Sequence, residues 1–127
     1  MIRILLVAAG GALGAVARYG VGRVLPAGAW PSGTLTVNVV GGLLMGLLTG
    51  WLAFRGGATQ DNIRLFAAVG VLGGFTTFSA FSLETALMIE RRQLGLAAAY
   101  VGLSVVLSVA ALFIGLMIAR RTFGAAL

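Results

Sequence analysis

Cysteine and histidine are both absent from this 127-residue chain, and only three residues are acidic. These absences exclude disulfide staples, thiolate or imidazole metal sites, cysteine or histidine nucleophiles and a histidine pH switch. Charge of either sign is scarce. Charged residues make up 9% of the chain and hydrophobic ones 60%, whereas an average soluble domain carries about 25% charge. Mean hydropathy is +1.07. A soluble domain of this size must cover its outside with polar side chains, and too few are present. The same composition excludes disorder. What remains is an integral membrane protein with three or four spans.

The charges divide the chain into apolar stretches at 4–17, 24–54, 65–83 and 93–119, of 14, 31, 19 and 27 residues. A helix needs about 20 apolar residues to cross the hydrocarbon of a bilayer. The last three suffice alone, and the first suffices if its helix runs past Arg18 toward Arg23. The sequence therefore predicts an all-α membrane protein with one domain over 1–127 and helices near 3–25, 32–54, 62–90 and 94–119. A Pro/Gly turn at 26–31, a polar loop at 55–61 and a tight link at Arg91–Arg92 join them. Ala15-Val16-Ala17 has the form of a signal-peptide cleavage site. Cleavage there would discard the helix carrying Arg18, so the segment reads as a span.

All nine basic residues are arginines. On a four-span layout one side holds Arg3, Arg55, Arg64, Arg120 and Arg121, and the other holds Arg18, Arg23, Arg91 and Arg92. Five against four gives almost no orienting instruction under the positive-inside rule. Such a chain is suited to insert both ways up, and opposite copies then pair about a two-fold axis in the membrane plane. The plainer alternative is one orientation fixed by a single charge. The net charge of +6 is spread over every helix end, the pattern of snorkelling interfacial anchors and not of a nucleic-acid surface.

Twenty glycines are present. Gly42, Gly46 and Gly50 form overlapping GxxxG units on one helix face, and Gly10 and Gly14 form another, which predicts close helix packing. Four thin helices leave no wide lumen inside one chain, so a permeation path is expected between chains. Polar groups within spans face a partner, a cavity or a pathway. Thr34 and Asn38 share a face of the second helix, where Asn38 serves equally well as interhelical glue or as a donor. Tyr100, Ser104 and Ser108 make a stripe of hydroxyls about 12 Å long on the fourth. In the third, Gly73-Gly74-Phe75-Thr76-Thr77 is poor helix material. A break there frees carbonyls, a donor set for a hard cation. Phe78 and Phe81 share a face, which spacing alone reads as packing. Their positive ring edges can also meet an anion.

The run Gly73-Gly74-Phe75-Thr76-Thr77-Phe78-Ser79-Ala80-Phe81-Ser82-x-Glu84 resembles the Fluc (CrcB-type) fluoride channel family. Gly10-Gly11-x-x-Gly14-x-x-x-Arg18-Tyr19, Gly33-Thr34-Leu35-x-Val37-Asn38-x-x-Gly41 and Tyr100 with Ser104 and Ser108 extend the likeness over essentially the whole chain. The resemblance implies an antiparallel, dual-topology homodimer in the plasma (inner) membrane of a bacterium. Two pathways along the subunit interface would export cytoplasmic fluoride by passive electrodiffusion. A structural sodium ion would sit centrally on carbonyls of Gly73 and Thr76 at the break in each third helix. Phe78 and Phe81 would line the pathway with Asn38, Tyr100, Ser104 and Ser108, with Thr34 and Thr77 nearby and Arg18 near the aqueous mouth. One departure is Ala80, where the family often has threonine, and it is expected to change the polarity beside the pathway.

The residues supply a matching mechanism. Fluoride is small and strongly hydrated, so a narrow path must replace its water with donors, yet release it again. No charge falls within 34–50 or 73–83, so neutral hydroxyl, amide and ring-edge donors carry that task. The rival reading is a proton-coupled transporter, either a small multidrug-type exporter or a fluoride/proton exchanger. The exporter needs a membrane carboxylate, normally in the first helix, and 4–25 holds none. The exchanger has only Glu84 as proton carrier. No nucleophile–base pair marks an enzyme.

Overall fold

The computed structural model describes residues 1–25, 28, 30–54 and 58–124. Four apolar segments are long enough to cross a membrane: Ile2–Val24, Ser32–Leu52, Thr59–Glu90 and Leu94–Phe123. Three are single helices, α1 (Ile2–Val24), α2 (Ser32–Leu52) and, last in the chain, Leu94–Phe123. The third segment is composite. It runs through α3 (Ala58–Ile63), a π-helical stretch (Arg64–Leu72), α4 (Gly73–Phe75) and α5 (Phe78–Glu90), which makes the last helix α6. The polar loop expected at 55–61 is thus already helical from Ala58, and its first three residues, with Arg55, lie outside the described residues. So do 26, 27 and 29 of the expected Pro/Gly turn.

α6 runs four residues beyond its expected end. Arg120 and Arg121 occupy its last turn, where cations complement the helix dipole and do not stop the helix. At 30 residues it is about 45 Å long, well over the hydrocarbon thickness. The tight link after α5 is a Schellman turn: Gln93 N–H bonds Met88 O at 2.9 Å and Arg92 N–H bonds Ile89 O at 3.0 Å. Its left-handed position, normally glycine, is Arg92 at φ 61°.

Two pairings build the fold. α2 lies mainly on α6, and α1 lies on the π-helical stretch and α4. Glycine makes both contacts possible. A Cβ on Gly46 would collide with Leu112 O, one on Gly42 would sit 2.7 Å from Ser108 O, and one on Gly115 would strike Leu43 O. A Cβ on Gly14 would collide with Val71 O, and one on Gly74 would come within 2.5 Å of Gly11 O. Backbone therefore meets backbone, the contact expected where small residues replace a hydrophobic driving force. The outer faces stay uncovered: Leu103, Val106, Phe113, Ile114 and Met117 on α6 and Ile4, Leu13 and Val16 on α1 are exposed.

Candidate functional site

The site is built around two residues that are not helical. α4 ends at Phe75, and Thr76 (φ −85°, ψ 159°) and Thr77 (φ −151°, ψ 122°) are extended before α5 begins. A helix end leaves four carbonyls without partners inside the helix. The chain satisfies some of them and leaves others. Arg18 Nε donates to Gly74 O at 3.1 Å. Asn38 makes a two-way pair with Thr77: Nδ2 donates to its carbonyl at 3.0 Å and Oδ1 accepts from its N–H at 2.9 Å. Thr77 Oγ1 caps α5 by accepting from Ala80 N–H at 3.1 Å. The amides four residues beyond Gly73 and Thr76 belong to Thr77 and Ala80, so both are spent on side chains. The carbonyls of Gly73 and Thr76 thereby lose their helical donors.

Those two carbonyls are an all-oxygen set of the kind a hard cation takes, and Gly73 is exposed on the surface of the single chain. Two carbonyls from one chain are part of the donor set that such a cation needs. Among the described residues there is no group of three or more acidic side chains to hold a metal in any other way.

Beside the break lies an open groove of about 420 Å³, bounded by Asn38, Thr77, Phe78, Phe81, Ser104 and Ser108. Six of the side chains singled out in the sequence thus converge from α2, the third segment and α6. The ring centroids of Phe78 and Phe81 are 5.6 Å apart, those of Phe81 and Tyr100 5.2 Å, and those of Tyr100 and Trp30 6.1 Å. Phe78 is 78% exposed, whereas Tyr100 is completely buried. The hydroxyls of Tyr100, Ser104 and Ser108 are buried and make no hydrogen bond of good geometry in the single chain, although Thr34, Glu84 and Ser104 lie within reach of the Tyr100 hydroxyl. The threonines behave differently. Thr76 Oγ1 bonds back to Leu72 O at 3.0 Å and Thr85 Oγ1 to Phe81 O at 2.8 Å. The two serines have the same option and do not use it.

A second cavity of about 260 Å³ holds Arg18, Thr34, Thr77, Ala80 and Glu84. Thr34 Oγ1 donates to Glu84 Oε1 at 2.5 Å. Thr77 borders both cavities, so the Asn38–Thr77 pair stands between them. Ala80, the departure from the family pattern, leaves this second cavity without a further hydroxyl. Arg18, Thr34 and Asn38 therefore each have a protein partner, which spacing could not reveal. The bonding of Glu84 was also beyond the sequence, as was the position of Gly41. A Cβ there would collide with the Thr76 methyl, so this glycine makes room for the break.

Four apolar spans define a multi-pass membrane protein, and neutral polar groups border the groove beside its third span. Residues 5–116 match the family model described as CrcB-like protein, Camphor Resistance (CrcB). Relatives that carry the name fluoride-specific ion channel FluC match nearly the whole chain. The one from Caulobacter sp. (strain K31) is 64% identical, covering 97% of this chain and 98% of its own. That from Phenylobacterium zucineum (strain HLK1) is 62% identical over 97% and 99%. That from Hyphomonas neptunium is 58% identical over 94% and 96%. The chain belongs to the Fluc (CrcB-type) fluoride channel family, a family of channels and not of enzymes.

Proposed function

We propose that this chain exports cytoplasmic fluoride across the inner membrane of a bacterium by passive electrodiffusion. It works as an antiparallel, dual-topology homodimer with two pathways along the subunit interface, and its third helix is broken at membrane depth. The observation that carries this reading is the row of buried hydroxyls on Tyr100, Ser104 and Ser108, none in a well-formed hydrogen bond within the single chain, beside the Phe78–Phe81 pair. Leaving such a group unpaired costs about 1–3 kcal/mol, a cost that a small hydrogen-bond-accepting anion relieves. Asn38 Nδ2 has a second N–H beyond the one given to Thr77, and ring edges add weak positive potential. A dehydrated fluoride passes along these donors from Ser108 and Ser104 to Tyr100. No full charge lies in the groove to trap it. Arg18, Thr34 and Thr77 border the mouth at the second cavity.

The Gly73 and Thr76 carbonyls of both copies would hold the central sodium ion. When bound, it supplies a fixed positive potential and pins the two breaks together. Lipid and the partner copy cover the exposed apolar faces.

Fluoride efflux from liposomes holding the purified protein tests the reading, with a potassium ionophore clamping the voltage. Efflux that dissipates charge without a proton gradient is expected. Efflux that needs the gradient would transfer the function to an exchanger using Glu84, and no efflux from folded dimer would reject both.

A further inference from the structure

Arg18 lines the second cavity, and its geometry gives it a more specific task. On α1, Gly10, Gly14 and Arg18 follow at four-residue steps and share one face. The first two are glycines because that face touches backbone: a Cβ on Gly10 would collide with Phe66 O, and one on Gly14 would lie 2.8 Å from Phe75 N. One turn further on, the same face reaches the end of α4, and there the side chain is long. Its Nε, not the guanidinium tip, donates to Gly74 O at 3.1 Å. Gly74 lies between the two residues whose carbonyls lack helical donors.

We infer that Arg18 is a positioning residue: by tethering Gly74 from α1 it fixes the direction of the flanking Gly73 and Thr76 carbonyls and so tunes the cation site. The inference rests on the sodium site proposed above. A cation at a helix C-terminus is favourable on its own. A second positive charge beside a bound cation is not. Charge and hydrogen bond therefore predict opposite effects, and substitution can separate them. Glutamine has the same number of bonds from Cβ to its amide nitrogen as arginine has to Nε, so Arg18→Gln keeps a donor in place and removes the charge. Arg18→Lys keeps the charge and puts a methylene at that position.

The experiment measures the sodium concentration at half-maximal thermal protection of the detergent-solubilised dimer. Fluoride efflux and dimer elution are followed in parallel. We expect Arg18→Gln to stay within about twofold of the unaltered chain, and Arg18→Lys and Arg18→Leu to need about tenfold more sodium, the worth of one hydrogen bond. The reverse order, with lysine retaining affinity and glutamine losing it, overturns the inference. So does an unchanged sodium midpoint with slowed fluoride efflux, which would leave Arg18 an attractor of anions only. If the unaltered chain shows no sodium response, the cation site and this assignment fall together, while the parallel efflux measurement still decides whether the chain is a channel. Arg18→Gln and Arg18→Lys keep the test open should Arg18→Leu fail to fold.

Discussion

Asn38 performs the hydrogen bonding that a continuing helix would have done for Thr77. Asn38→Leu strands both the N–H and the carbonyl of that threonine, at about 1–3 kcal/mol apiece, and should lower the thermal unfolding midpoint along with fluoride efflux. The hydroxyls of Ser104 and Ser108 behave in the opposite way. They make no well-formed hydrogen bond within the single chain, so Ser104→Ala or Ser108→Ala should leave the midpoint unchanged or raised while efflux slows. A falling midpoint would mean that the serines bind something within the fold. The two phenylalanines divide similarly. Phe78 is largely exposed in the single chain and Phe81 touches Tyr100, so Phe78→Ile should slow efflux several-fold with little loss of dimer, and Phe81→Ile should cost some of both. Helical spacing tells which face each of these residues occupies, but it reads Phe78 and Phe81 as packing and leaves Asn38 open, and their place on a pathway comes only from the family resemblance. The atom each one bonds to was not visible, because that depends on where the neighbouring backbone lapses from helix.

Among the elements, the α2–α6 contact makes the sharpest contrast between one glycine and another. Gly46→Ala drives a methyl into Leu112 O and should deplete folded protein, whereas a Cβ on Gly102 meets nothing within 4 Å. Gly102→Ala should instead gain up to about 1 kcal/mol of helix propensity. Chromatographic yield of the dimer reads both. The GxxxG spacing announced the first contact, and the weak helix formers at 73–77 announced where regular structure lapses. Nothing announced the π-helical stretch, whose residues have ordinary helical composition. The stretch packs along α1, a tertiary contact that residue composition does not encode. The Schellman turn hid for a related reason: glycine normally marks it, and here Arg92 occupies the left-handed position. Arg92→Gly should relieve about 1 kcal/mol of backbone strain, measurable as a higher unfolding midpoint.

For the molecule as a whole, the proposed dual topology makes arginine placement the property that sets which way up a copy lies. Five against four leaves the choice nearly even, so C-terminal reporters should read at comparable levels on both sides of the membrane. Arg92→Gly changes the count to five against three and should tilt that ratio, lowering efflux per copy even as each copy becomes more stable. Composition and charge counting reach this far because span number and loop charge are one-dimensional properties. Angular phase is not. The π-helical stretch is bonded so that Gly73 N–H reaches back to Ala68 O, five residues instead of four. Each residue of a helix advances the chain by about 100°. A turn closed over five residues spends one more than an α-helical turn, so the wide turns of this stretch help set the angle at which Gly74 meets Arg18 and Thr77 meets Asn38. The stretch keeps time for everything after it, and at Gly70, where a Cβ would lie 2.9 Å from Gly10 Cα, its letter is fixed as well.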